Sequence, residues 1–146
     1  MELTPSDVGL GVSQVLPLLV QGLADTGISK GIRPRNRIRC VEQPELHLHP
    51  RLQANLADFF IDTTKRNSGL RWILETHSES LILRIQRRIR EQKLKPEDVS
   101  INYVNSIKGG FSVVSELRLD VEGDFIDEWP NGFFEESFKE RFQVNN

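Results

Sequence analysis

Two short stretches concentrate the residues able to do chemistry. Residues 38–50, IRCVEQPELHLHP, end an apolar run in Glu42, then give a proline, a second glutamate and two histidines spaced H-x-H. Residues 70–80, LRWILETHSES, end a second apolar run in Glu75 and place His77 two residues on. All three histidines of the chain, His47, His49 and His77, lie at or just past these two ends. A carboxylate at a strand end can hold Mg²⁺, a neighbouring amide or carboxylate can orient attacking water, and an imidazole can donate to a phosphate oxygen. Together these are parts of phosphoryl transfer from a nucleotide. Glu42 suits the first role, Gln43 or Glu45 the second and His77 the third. The H-x-H pair with Glu42, Glu45, Glu75 and His77 also holds enough ligands for zinc or manganese in a metal-dependent hydrolase. Pro44 and Pro50 bracket the two histidines, which points to a turn leading into a helix rather than one face of a strand. Taken singly, each of these residues is also what a helix cap or a solvated turn uses.

The elements that position these ends alternate between strand and helix. SQVLPLLVQGLA (13–24) reads as a helix with Ser13 as N-cap and Pro17 tolerated in the first turn. GISKGIRPRNR (27–37) reads as a loop, and IRCV (38–41) as a short buried strand with Cys40 as a small core residue. Pro50 suits the start of a helix through about Arg66, with Leu52, Leu56, Phe59 and Phe60 at helical spacing. LRWILET (70–76) forms a second strand after a turn at Asn67–Gly69. Ser78 caps a helix to about Lys93 with Ile82, Ile85 and Ile89 inside. VSINYVNS (99–106) and FSVVSELRL (111–119) flank IKGG, the pattern of a β-hairpin. Strand–helix–strand–helix order predicts an α/β fold with parallel strands flanked by helices, and in such sheets ligands gather beyond the carboxyl ends of strands.

Composition sets the outer bounds. The chain has 146 residues, 38% hydrophobic and 27% charged, with a formal net charge of −2. That balance fits one domain with a modest core and gives no general case for nucleic acid or membrane. The single cysteine, Cys40, forms no internal disulfide, which predicts a reducing, cytoplasmic setting. Residues 8–24 carry no charge. The flank before them holds Glu2 and Asp7, and the run itself holds Ser13, Gln14, Pro17 and Gln21, so neither a signal peptide nor a membrane span is expected.

CVEQPELHLHPRLQANLADFF with WILETHSESLILR after it resembles the C-terminal half of the AAA-annotated ATPases with ABC-type heads, relatives of overcoming-lysogenization-defect nucleases and SMC-like heads. The resemblance extends to DVGLGVSQVLPLL (7–19), which looks like the signature region. It also extends to FIDEWPNGFFEESFKERF (125–142), which looks like the small C-terminal segment of one subgroup. It implies a partial P-loop NTPase fold ending in a hairpin and a short helical tail. The ATPase lobe would cover residues 1–119, and a small acidic and aromatic segment residues 120–146. By position, Glu42 matches the Walker B acid that holds Mg²⁺, and Gln43 falls where the catalytic glutamate usually stands. His49 falls in the D-loop, and His77 matches the switch histidine that reads the γ-phosphate. Gly11, Ser13 and Gln14 match the signature loop, which in such dimers touches ATP held by the opposite head. The sequence departs from the family pattern at two points. Gln43 can orient water but cannot take its proton, so hydrolysis is slow or Glu45 acts as base. And no G-x-x-x-x-G-K-[ST] occurs in the chain, so the α- and β-phosphates lack their backbone cradle here.

The resemblance therefore implies half of an ATPase site, completed by a P-loop-containing lobe or partner chain and working as a homodimer of heads in DNA handling or phage defence. A non-catalytic interaction module derived from such an ATPase is the alternative, and the metal hydrolase a third. RIQRRIREQKLK (84–95) holds six basic residues and one acid. It is either a nucleic-acid contact or a solvated helix face, and RPRNRIR (33–39) adds a second basic run. The aromatic residues Phe125, Trp129, Phe133, Phe134, Phe138 and Phe142 are expected to pack back onto the domain.

Overall fold

The computed structural model describes residues 9–27, 36–107 and 110–129. The chain divides between Arg84 and Ile85 into two compact units. The first contains helix α1 (Leu10–Gly27), strand β1 (Arg37–Glu42), helix α2 (Pro50–Arg66), strand β2 (Leu70–Glu75) and the start of helix α3 (Glu79–Arg90). The second continues α3 and adds a 3₁₀ turn (Pro96–Asp98) and strands β3 (Ile101–Ile107) and β4 (Phe111–Leu117). The result is a mixed α/β structure with a parallel two-stranded sheet and an antiparallel hairpin.

β1 and β2 pair in parallel from Arg37↔Leu70 to Glu42↔Glu75. Residues that face each other across parallel strands share a side of the sheet. One side, built on Val41, Leu70, Trp72 and Leu74, turns towards α2. There Phe60 and Trp72 meet in a tilted contact at a 5.0 Å centroid distance, and Phe59 lies 6.2 Å from Trp72. The Trp72 indole N–H donates to Thr63 Oγ1 at 3.0 Å, and that hydroxyl in turn donates to Phe59 and Phe60 carbonyls. A half-buried indole and a buried hydroxyl are thereby satisfied inside an apolar contact. The other side carries Ile38, Cys40 and Glu42 beside Arg71, Ile73 and Glu75, and every one of these is exposed. The expectation of a buried Cys40 is therefore corrected: Cys40 is exposed. Ile38 and Ile73 remain 64% and 58% exposed, because no layer covers this side among the described residues.

α1 begins three residues earlier than Ser13. Gly9 (φ +86°) precedes it, and the Ser13 hydroxyl donates to the Leu10 carbonyl at 2.8 Å instead of capping the helix. Pro17 consequently lies inside the helix, not in its first turn. Gly11, Gly22 and Asp25 fall on the buried line of α1, while Val12, Leu16, Val20 and Leu23 form an exposed one. Gly22 lets α1 approach α2 closely: a Cβ there would stand 2.3 Å from the tip of the Phe59 ring, which would have to shift. Asp25 fastens the other end. Its carboxylate accepts from Arg37 and twice from Arg39, at 2.9 and 3.1 Å, and its backbone carbonyl accepts from Asn67 at 3.0 Å. The Arg39 guanidinium foremost, and Arg37 with it, hold the Asp25 carboxyl below its ordinary value although burial opposes them.

α2 starts as expected at Pro50 and ends at Arg66. Ser78 caps α3, accepting the Leu81 N–H on its hydroxyl at 3.0 Å. α3 ends at Arg90, short of Lys93, where Gln92 takes φ +56° and the Lys93 and Leu94 amides fold back on the Arg88 carbonyl. This is a left-handed helix stop made without glycine. In α3 Leu81, Ile82 and Ile89 are buried and Ile85 is half-buried.

In the second unit β3 and β4 pair from Ile101↔Leu117 to Ile107↔Phe111, as the hairpin pattern predicts. Gly110 has φ +81°, and Lys108 and Gly109 lie outside the described residues. Beyond β4, Asp120 Oδ1 accepts the Glu122 and Asp124 amides and closes a turn. Gly123 (φ +79°) seats that turn on α3, where a Cβ would stand 2.4 Å from the Gln86 carbonyl oxygen. Trp129 packs on Phe125 at 4.9 Å and on Tyr103 of β3 at 6.1 Å. Phe133, Phe134, Phe138, Phe142 and the expected helical tail lie outside the described residues.

Candidate functional site

The two strand ends lie side by side. Glu42 and Glu75 are register partners, and the Gln43 amide adds one more rung by donating to the Glu75 carbonyl at 2.8 Å. After β1 the backbone turns sharply. Gln43 and His47 take φ +44° and +61°, conformations uncommon for side-chain-bearing residues. The Leu46 amide donates to the Gln43 carbonyl, and the Leu48 amide to the Glu45 carbonyl. Leu48, 9% exposed, anchors the turn, while Leu46 and His47 face solvent. His49 then caps α2, its Nδ1 accepting the Arg51 N–H at 3.3 Å, with Pro50 as the first helical residue.

Glu45 is the buried group of this turn, at 6% exposure. Its Oε1 accepts the backbone N–H of His77 at 2.7 Å, so the turn after β1 holds the loop after β2. Its Oε2 is sealed from solvent and has no hydrogen-bond partner among the described residues. A second tie runs beside it. Gln53 donates to the Leu48 carbonyl at 2.9 Å and accepts from the Ser78 hydroxyl at 2.7 Å. The His77 backbone N–H is thus held by Glu45 and the next side chain, Ser78, by Gln53, while His77 itself is exposed. Gln43, Glu45, Leu46, His47, Gln53, His77 and Ser78 line one open cleft of about 230 Å³.

Gln43, Glu45 and His77, singled out in the sequence, therefore share a cleft. Glu42 is not among its lining residues; it sits at the adjoining strand end on the open side of the sheet. Gly11 lies against the same turn, since a Cβ there would stand 2.6 Å from the His47 carbonyl oxygen. Ser13 is spent on the Leu10 carbonyl, Gln14 is exposed, and His49 caps a helix; none of the three lines the cleft. Gln53 and the linking role of Ser78 were not legible from the motifs. The one local signal is a polar residue on the first turn of α2 at the same end of the strand–helix unit. Among the described residues no three His, Cys, Asp or Glu side chains converge as a metal site, so the H-x-H pair has no third ligand there.

The basic run at 84–95 is extensively neutralised. Arg84 pairs with Asp58 at 2.5 Å; Arg87, Arg88 and Lys93 all reach Glu91; Arg90 reaches Asp124 and Lys95 Glu97. Lys93 first, then Arg87 and Arg88, hold the Glu91 carboxyl down to about 2. In the 33–39 run, Arg37 and Arg39 are committed to Asp25, and Arg33 and Arg35 lie outside the described residues. No helix among the described residues is long and apolar enough to cross a membrane.

No curated protein and no solved structure matches the chain. A family described as a protein of unknown function (DUF3696) matches residues 94–143, a span that includes the whole hairpin. The AAA ATPase domain family matches residues 1–82, which take in α1, both parallel strands and every residue lining the cleft. By that match, over more than half its length, the chain belongs to the AAA ATPase domain family.

Proposed function

We propose that this chain forms the C-terminal lobe of an ABC-type ATPase head and contributes half of an ATP site at the carboxyl ends of β1 and β2. The observation that carries the reading is the shared cleft of Gln43 and His77 beside the register pair Glu42–Glu75. The residues present suit part of a Mg²⁺–ATP site. Mg²⁺ takes one or two carboxylates and completes its shell with water and phosphate oxygens, and Glu42 offers such a carboxylate on the exposed side of a strand end. Mg²⁺ there would neutralise charge on the β- and γ-phosphates. Gln43 orients water through its amide, and the His77 imidazole donates to a γ-phosphate oxygen. The signature region, with Gly11, Ser13 and Gln14, would face the nucleotide of a second head, and the close approach of Gly11 to the His47 turn supports its position at this end of the sheet.

The α- and β-phosphate cradle comes from a lobe with a P-loop. The side of the β1–β2 sheet that no described residue covers supports the need for such a lobe. Parallel strands are ordinarily covered on both sides, whereas here Ile38, Cys40 and Ile73 face solvent. Because an amide takes no proton near neutral pH, turnover is slow and ATP acts as a switch that joins two heads. Service in DNA handling or phage defence is in keeping with the resemblance of the motifs.

The test combines this chain with a polypeptide that supplies the P-loop lobe. Mg²⁺-dependent ATP binding should appear in the combination and be lost with Glu42→Gln. Gln43→Glu should raise turnover by about tenfold or more, since it installs a proton acceptor beside the water. Partner binding indifferent to nucleotide would instead favour the interaction module, and an unchanged rate in Gln43→Glu would count against the role given to Gln43.

A further inference from the structure

We infer that Glu45 is a positioning residue rather than the proton acceptor of the site: its carboxylate latches the turn after β1 to the His77 loop and sets where that imidazole stands. Three observations converge. Glu45 is buried although it lies in a polar turn. Its Oε1 is engaged by the His77 N–H at 2.7 Å, a contact between residues 32 apart in sequence. Its Oε2 is sealed from solvent and accepts no hydrogen bond among the described residues, although Glu45 lies at the edge of the cleft.

A general base must come within hydrogen-bond reach of the proton it takes. A carboxylate with one oxygen occupied by a backbone amide and the other closed off does not meet that condition. It does meet the condition for a clamp, because a hydrogen bond to a charged acceptor is short and roughly twice as strong as a neutral one. Gln53 completes the clamp from α2 through the Ser78 hydroxyl. The His77 backbone N–H and the neighbouring Ser78 hydroxyl are therefore both held by groups of the 43–53 segment, which ties the position of His77 to the Glu45 turn. The Glu45–His77 link stands on geometry alone; only the process it serves rests on the ATPase reading.

The first measurement needs no substitution. In ¹⁵N,¹³C-labelled protein, a through-hydrogen-bond coupling should connect the His77 amide nitrogen to Glu45 Cδ, and its absence overturns the latch. Glu45→Ala should then speed hydrogen exchange of the His77 amide by about tenfold while amides in the centre of α2 keep their protection. Glu45→Gln retains an acceptor oxygen and should keep His77 protection within about threefold. In the completed ATPase, Glu45→Gln should leave turnover within about threefold, where loss of a general base costs about a hundredfold. Glu45→Ala and His77→Ala should each reduce turnover, and combining them should add little. A hundredfold loss in Glu45→Gln with the His77 amide undisturbed would overturn the inference and make Glu45 the base. A combination without ATPase activity would overturn the functional reading and leave the amide measurements to decide the latch.

Discussion

Gly11 and the carbonyl of His47 touch so closely that a Cβ on residue 11 would stand 2.6 Å from the carbonyl oxygen and 3.0 Å from the Leu48 side chain. The contact joins the first turn of α1 to the turn after β1. His47 is itself held at φ +61°, so the carbonyl has little room to yield.

Gly11→Ala should therefore destabilise the first unit by about 1–3 kcal/mol, the usual cost of overpacking, despite the better helix propensity of alanine. Val12→Ala, one residue along on the exposed line of α1, should stay within about 0.5 kcal/mol. Urea unfolding monitored by circular dichroism compares the two. Equal and small effects would show that the α1 contact tolerates a methyl group.

Cys40 stands on the open side of the parallel sheet between Ile38 and Glu42. In the isolated chain its thiol should react with a maleimide or Ellman's reagent at a rate within about tenfold of that in denaturant, because access and thiolate fraction govern the reaction. Addition of the P-loop lobe should slow labelling by about tenfold or more if that lobe covers the sheet. Fast labelling in a nucleotide-competent combination would place the lobe elsewhere.

Acid should destabilise the protein through identifiable carboxylates. Glu91 is lowered from 4.5 to about 2 by Lys93, Arg87 and Arg88, and Asp127 from 3.8 to about 2 by the side chain and backbone N–H of Arg118. Asp25 is lowered as well, chiefly by Arg39. A carboxyl depressed on folding binds its proton more weakly in the folded state. Its contribution is present above the unfolded value and is lost as pH falls towards the folded one. Thermal stability should thus be level with respect to these groups above about pH 5 and decline from about pH 4.5 towards pH 2. Asp127→Asn should flatten part of that decline, and high salt should weaken the contribution of the exposed Glu91 and Asp127 pairs. A midpoint that stays constant through this window would show that the pairs contribute nothing net.

Much of the framework is written in local sequence. Pro50 after a polar turn marks the start of α2, Ser78 marks the start of α3, and the apolar runs ending at Glu42 and Glu75 become the two parallel strands. The β3–β4 hairpin is legible because Gly109 and Gly110 stand in the sequence between two strand-like runs. These features depend on caps, proline, glycine and the spacing of apolar residues, all within a few positions of one another.

Long-range placement decided the rest. Alternation in IRCV separates two sets of side chains but says nothing of which side receives α2, so Cys40 emerges exposed and Val41 half-buried. The arginines at 37 and 39 look like part of a free basic run until Asp25, brought back by the end of α1, takes both. Glu45 reads as one more acid of a polar turn; the His77 amide, 32 residues away, is what turns it into a buried latch. Spacing along the chain fixed which residues could end a strand or begin a helix, because those choices are settled by neighbours. Which carboxylate is buried, which imidazole is steered and which side of the sheet stays open were decided by groups that meet only when β1 and β2 pair, since burial and hydrogen bonding belong to partners rather than to positions.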